Sequence, residues 1–344
     1  MSNSRYEQAG VSIKAQDEAI HRLKGHVART ENKRVISSVG SFGGLFDISF
    51  PNLSQPVLVS STDGVGTKIK IAIDAGIHDT IGQCLVNHCI DDILVQGARP
   101  LFFMDYISTG KLAPAVVEQV LKGMADACCA SECAILGGEL AEMPGFYKTG
   151  DYDVAGFIVG VVDRPKILGA HRVKAGQKLI GLKSSGLHTN GYSLARKIIF
   201  EEQGLGLQDE IPGTGKTAAQ ALLAVHRNYH PLLWPLLEAN QIAAMAHITG
   251  GGFLDNIPRV LPPDCCASID LKAVPKDPLF AYLVEKGGMD ANEPYQVFNM
   301  GIGMILMVDH DQVQAVQKAL EKVGEPSWVI GDIVSGNGKV NLLR

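Results

Sequence analysis

From Pro56 onward, short β-branched apolar runs alternate with helix-length stretches, and that alternation admits few folds. Val57 to Thr62, Pro100 to Tyr106, a run ending at Leu136 and Tyr152 to Val162 predict strands. Ile77 to Gln96 and Ala113 to Ala130 predict the helices between them. Pro165 and Gly169 interrupt the pattern between Asp163 and Ala170, after which it resumes. Strands are expected at Lys178 to Lys183, Ala244 to Ile248, near Cys266, at Val297 to Val308 and as a closing pair. Helices are expected from Tyr192, between Thr217 and Asn240, from Leu254, near Leu279 and over Gln312 to Val323. A chain of 344 residues exceeds what one core usually serves. The fold class is therefore α/β (mixed α+β) in two domains, residues 1–168 and 169–344. The first fifty residues are glycine- and serine-rich around Ser37 to Gly44 and show little periodicity, so they read as a mobile arm or lid.

Charge and composition narrow the partners. Thirty-one basic against 36 acidic residues leave a net charge of −5, with no basic stripe, so nucleic acid is not an expected partner and small molecules are. Seven cysteines without a CxxC pair suit a reducing compartment, and the location expected is cytoplasmic. Cys128, Cys129 and Cys133 make only a weak zinc set. Met1 to Gly10 has no apolar h-region, and no run approaches the roughly 18 apolar residues of a membrane span.

Three acidic segments carry the chemistry. Ser60 to Lys68 places Asp63, Gly64, Gly66, Thr67 and Lys68 at a strand end. Freed backbone amides there suit phosphate oxygens, Asp63 suits Mg²⁺ and Lys68 offsets phosphate charge, although a polar strand-to-helix turn has the same composition. Asn87 to Asp92 sets Asn87 one helical turn from Asp91, and His88 one turn from Asp92. Taken alone this favours a solvated face or a His88–Asp92 pair. Gly137 to Gly145 adds Glu139 and Glu142 in a glycine-rich turn, which makes Asp63, Asp92 and Glu139 a candidate Mg²⁺ set.

Glycine-rich turns recur elsewhere. Val39 to Gly44, with Gly43 and Gly44, has the composition of a phosphate-covering loop or a plain surface loop. His188, Thr189, Asn190 and Gly191 join a strand to a helix whose N-terminus would attract phosphate. His247 to Phe253 repeats that design, with His247 a proton acceptor, an orienting donor or a satisfied core histidine. Gly213 to Thr217 looks like the end of a Walker A loop, but Glu210 stands where the first glycine falls.

In order, Gly40 to Gly44, Asp63 to Lys68, Asn87 to Asp92, Gly97 to Pro100, Gly137 to Gly145 and Tyr152 to Gly160 resemble the aminoimidazole ribonucleotide synthetase family. So do His188 to Ser193, His247 to Phe253 and Phe298 to Gly301, which extends the resemblance over nearly the whole chain. The resemblance implies an N-terminal PurM-like domain that forms a dimeric β-barrel and binds ATP, and a C-terminal α/β sandwich domain that contributes to substrate binding. It implies a homodimer with ATP and Mg²⁺ as cofactors and K⁺ as a further candidate. The implied reaction closes formylglycinamidine ribonucleotide to aminoimidazole ribonucleotide through a phosphorylated imidate, in purine biosynthesis. Lys68, Asp92 and His247 become the catalytic set and Asp63, Asp92 and Glu139 the metal ligands. ATP falls to Gly43, Gly44, Asp63, Gly64, Gly66, Thr67, Lys68, Gly138 and Glu139, and the substrate phosphate to His188, Thr189, Asn190 and Gly191.

The chain departs from many relatives, which carry Asn at Asp91, Met at His88, Thr at Leu140 and Asp at Ser12. The alternative is another enzyme of the same superfamily, formylglycinamidine ribonucleotide synthetase first. Selenophosphate synthetase-like proteins need a reactive N-terminal cysteine, whereas the first here is Cys84; hydrogenase-maturation dehydratases end in cysteine, whereas this sequence ends in Arg344. A nucleotide-sensing regulator without turnover is the rival from another class, and so many acidic residues argue against it.

Overall fold

A computed structural model describes residue 5 and residues 9–37 and 41–344. Val39 and Gly40 of the expected phosphate-covering loop lie outside the described residues. The first sheet has four strands, β1 (Pro56–Gly64), β2 (Arg99–Thr109), β3 (Ala134–Glu142) and β4 (Tyr152–Asp163), in the order β1-β4-β2-β3. β4 runs antiparallel to both β1 and β2, while β2 and β3 are parallel. A parallel pair needs a crossover, and the helix Pro114–Ala130, entered through a proline at its first turn, supplies it. That helix packs on the helix Asp79–Leu94 with backbones almost touching: a Cβ on Gly82 would lie 1.9 Å from the Val120 carbonyl oxygen, and one on Gly123 1.9 Å from that of Asp79. Both helices cover one face of the sheet. The other face leaves Leu58, Met104 and Phe157 exposed.

After β5 (Lys178–Lys183) comes a small separate hairpin of β6 (Glu210–Ile211) and β7 (Lys216–Thr217), then β8 (Ala244–His247), β9 (Cys265–Asp270), β10 (Ile302–Val308), β11 (Ser327–Ser335) and β12 (Val340–Leu343). The second sheet takes six of these strands in the order β12-β9-β11-β5-β10-β8. Every residue of β10 is buried, as a strand covered on both faces requires, and separate apolar clusters fill the two sides. A larger cluster runs from Ile69, Leu85 and Ile90 of the first half into Leu187, Tyr192 and Leu222 of the second, so the halves share one core.

Several expectations are corrected. The first fifty residues are not all arm: Ile13–Ala28 is a helix whose N-cap Ser12 accepts from the Ala15 amide, and it packs on Pro114–Ala130 through buried Ala19 and Val27. Arg22–Glu118 at 2.7 Å and Arg29–Asp126 at 2.8 Å flank that contact. Only a narrow stripe of this polar helix is apolar, which left its period faint in the sequence. The turn expected from Gly137 is instead the continuation of β3 to Glu142, because those residues pair with Met104 to Thr109. Lys68–Ala75 is helical although the expected helix began at Ile77, and Pro294–Val297 is a helical turn ahead of β10. The closing strands do not pair with each other; both pair with β9. Gly213 lies in the turn of a two-residue hairpin, and Thr217 caps the helix that follows.

Candidate active site

The site is built where the helix Asp79–Leu94 lies against β1. Register aligns Asp63 with Gly156 of β4, and Gly156 with Asp105 of β2, so both aspartates point to the helix-covered face. His88 and Asp92, one turn apart, face Asp63: His88 Nε2 lies 3.6 Å from Asp63 Oδ2. Asp92 Oδ1 accepts from His247 Nδ1 at 2.8 Å, and its other oxygen accepts from Ser61 Oγ at 3.1 Å. His247 is the last residue of β8, so this contact joins the two halves.

Behind it runs a chain of imidazoles. His247 Nε2 lies 3.0 Å from His226 Nε2, Thr189 Oγ1 is 3.3 Å from His226 Nδ1, and the same hydroxyl is 2.9 Å from His88 Nδ1. His188 stacks on His226 with ring centroids 4.0 Å apart. Asp91, fully buried, accepts from the Tyr229 amide at 3.0 Å, and its second oxygen sits 3.5 Å from His226 Nε2.

Burial divides these groups by charge. Desolvation pushes the Asp63 carboxyl up to about 7, helped by the hydrogen bond and negative charge of Asp92. Burial also opposes charge on Asp92, yet the hydrogen bond and charge of His247 outweigh it and hold that carboxyl below the ordinary range. Asp91 is pushed up to about 8 by desolvation. Burial works against protonated His247, but Asp92, with Asp91 and Asp63 beyond, raises its pKa. Desolvation and cationic neighbours depress the other three: His88 to about 4, and His188 and His226 well below the ordinary histidine value. The surroundings therefore favour protonation at His247 and oppose it at the other three.

The predicted site residues do not all meet. Asp63, Asp92 and His247 converge, but Glu139 does not join them. It lies on β3, three strand spacings or about 14 Å from β1, and one residue out of phase with Asp105, so its side chain faces the other side of the sheet. Lys68 is not free for phosphate. Its buried ammonium donates to the carbonyls of His188 at 2.9 Å and Ala224 at 2.6 Å, with Cys84 Sγ at 3.1 Å. His188 and Thr189 are buried in the imidazole chain, leaving Asn190 and Gly191 partly open. The helix that follows Gly191 leaves α geometry after Arg196 and continues as a π turn over Lys197–Glu202, and the one that follows Gly251 passes into a 3-10 turn at Ile257–Val260. Gly43 and Gly44 meet Gly138 and Glu139 in a separate cavity of about 280 Å³ below the helix Ile13–Ala28, while Gly64 at the end of β1 and Gly66 and Thr67 just after it lie exposed.

His226, Asp105 and Arg259 were not singled out from sequence. No motif surrounds His226. Arg259 lines a cleft of about 570 Å³ between the halves, together with Ser60, Ser61, Asp92, His247 and Thr249. Asp105 explains Gly138, where a Cβ would lie 2.4 Å from its Oδ1. Burial raises the Asp105 carboxyl to about 7, so the folded chain holds a proton that the unfolded chain gives up near pH 4. Its contribution is full below pH 4 and is lost as the pH rises through 7. Asp105→Asn is expected to abolish that loss, gaining roughly 2–4 kcal/mol on the parent between pH 5 and pH 8. Urea denaturation across that range measures it; parallel profiles would mean that Asp105 is ionised in the fold.

Two α/β halves joined across a buried His–Asp cluster have the fold of the AIR synthase related proteins. The N-terminal domain model of that family matches residues 50–162, and its C-terminal domain model matches residues 174–342. Phosphoribosylformylglycinamidine cyclo-ligase of Shouchella clausii (strain KSM-K16) is 48% identical over 340 residues, covering 99% of this chain and 98% of that one. The enzyme of the same name from Geobacter sulfurreducens (strain ATCC 51573 / DSM 12127 / PCA) is 48% identical over 95% of this chain and 94% of its own. The chain belongs to the phosphoribosylformylglycinamidine cyclo-ligase family. Thiamine-monophosphate kinase from Stenotrophomonas maltophilia K279a, at TM-score 0.69 and 16% identity, covers 94% of this chain and 95% of its own. The hydrogenase maturation protein HypE in complex with ATP, at TM-score 0.66 and 18% identity, covers 94% and 90%. At such identities the likeness is one of fold.

Proposed function

We propose that this chain uses ATP to close formylglycinamidine ribonucleotide to aminoimidazole ribonucleotide, with ADP and phosphate as the other products. The near-full-length identity to cyclo-ligases carries the reading. In this reaction ATP turns the amide oxygen into a phosphate leaving group, and an internal nitrogen attacks the same carbon. Such chemistry asks a protein mainly for positioning and charge neutralisation.

The division at residues 168 and 169 assigns ATP and dimer formation to the first half and substrate contacts to the second. Gly43, Gly44, Gly138 and Glu139 around one cavity, and Gly64, Gly66 and Thr67 at the end of β1, are the nucleotide contacts in this reading. ATP enters as its Mg²⁺ complex, and the cation offsets phosphate charge. Asp63 and Asp92 fit a cation, because two part-exposed carboxyls at one junction of sheet and helix offer the oxygen ligands that Mg²⁺ takes. Asp92 and His247 remain the catalytic pair, and Lys68 becomes a positioning residue. Asn190, beside Gly250, and exposed Arg259 are the donors left for the ribonucleotide phosphate. The chain acts in the cytoplasm as a homodimer, for which the apolar sheet face of Leu58, Met104 and Phe157 supplies a surface.

The purified chain with ATP and Mg²⁺ is expected to release ADP only when formylglycinamidine ribonucleotide is added, and to form a diazotisable aminoimidazole. Folded protein that shows no substrate-dependent ADP release rejects the ligase reading.

A further inference from the structure

A third cavity, of about 600 Å³, opens where the loop after the helix Ile13–Ala28, the start of β2 and the end of the helix Pro114–Ala130 meet the helix His230–Glu238 of the second half. It shares no lining residue with the cleft of Asp92 and His247 or with the cavity of Gly138 and Glu139. Its volume falls among those of small-molecule sites, roughly 300–1,000 Å³.

Four cations line it: Arg29, Lys33, Arg34 and Arg99. Arg29 is paired with Asp126 at 2.8 Å, but Lys33, Arg34 and Arg99 have no ion-pair partner among the described residues. Arg34 gives one nitrogen to the carbonyls of Asp47 and Ser49 and keeps the rest of its fork free. The Arg34 and Arg99 guanidiniums lie over the same Phe50 ring, 4.6 and 5.6 Å from its centroid, so two like charges are held close together. Arg99 is partly buried, and burial, with the charge of Arg34 next, lowers its pKa. An anion would relieve both effects. Glu31 and Glu132 are the acids of the lining; both are exposed, and they leave the cations in excess.

The rest of the lining is largely apolar. Phe46, Leu101 and Trp234 contribute to it, and the His230 ring stands 5.3 Å from that of Trp234. Both His230 nitrogens are covered, so this residue adds wall rather than donors. Inorganic phosphate would use the guanidiniums and leave the wall bare, whereas a phosphate carried on a flat ring uses both.

We propose that this cavity binds a small organic phosphate of the size of a nucleoside monophosphate, with Arg34 and Arg99 on the phosphate and Trp234 against the ring. Arginine forks suit phosphate oxygens through paired N–H···O bonds. Since both halves line the cavity, the ligand also ties them together.

AMP is the probe, titrated into full-length Trp328→Phe, in which Trp234 is the remaining tryptophan. The expected result is a saturable change in Trp234 fluorescence, with adenosine and inorganic phosphate each at least about tenfold weaker. Arg99→Gln on that background should weaken AMP at least about tenfold, and Glu132→Gln, which removes a lining acid, should tighten it several-fold. Effects of opposite sign separate lost binding from misfolding. A silent Trp234 through millimolar AMP, equal affinity in Arg99→Gln, or no gain in Glu132→Gln overturns the proposal. AMP taken up only in the cleft of Asp92 and His247 would leave both Trp234 and the Arg99 substitution without effect, and overturns it as well. Should Trp328→Phe not fold, calorimetric titration of the parent, Arg99→Gln and Glu132→Gln carries the same comparison.

Discussion

Lys68→Met will lower the stability of the fold by about 3 kcal/mol, because it strips the donor from two buried carbonyls while keeping the length of the side chain. Those carbonyls belong to His188 and Ala224, both in the second half, so the ammonium is a clasp between the halves. His188 also sits at φ 61, a left-handed conformation that costs a non-glycine residue free energy. The bond from Lys68 helps to retain that turn, and the turn places Thr189 between His88 and His226. The variant should therefore unfold at lower urea concentration and lose order in the imidazole chain. A phosphate-binding lysine predicts the opposite split, with an unchanged urea midpoint and a raised KM for ATP.

What the sequence revealed followed from periodicity. β5 falls on the predicted Lys178 to Lys183, and the helix Pro114–Ala130 begins one residue from its expected start, because their apolar spacing is strong and local. Residue type alone misled at Lys68 and Gly138. A lysine after two glycines reads as a phosphate ligand, and nothing local shows that two carbonyls more than a hundred residues away enclose it. A Gly-Gly pair reads as a turn, whereas Gly138 is needed inside a strand because the Asp105 carboxyl occupies the space of its side chain. His226 carried no signal of its own, since its partners lie elsewhere in the chain, Asn87 and Asp91 on the helix Asp79–Leu94 and His247 at the end of β8. His88 and Asp91 were visible as departures from many relatives, and their common cause emerged only when the fold placed both against His226.

Asp92→Asn should lower turnover by about 10²–10³-fold, the scale of losing one preorganised electrostatic contact in an active site. The substitution keeps the shape of the side chain but removes the charge that raises the pKa of His247 and helps to raise that of Asp63. His247 should then titrate at lower pH, where its burial alone would place it, and Asp63 should ionise more readily without a negative neighbour. Stability should change little, because an amide can still accept from Ser61 or His247. Two effects on catalysis separate in the dependence of turnover on dication concentration. A curve shifted to higher concentration assigns the loss to cation binding at Asp63 and Asp92. A lower plateau with an unshifted curve assigns it to the His247 pair instead, and takes the cation away from Asp92.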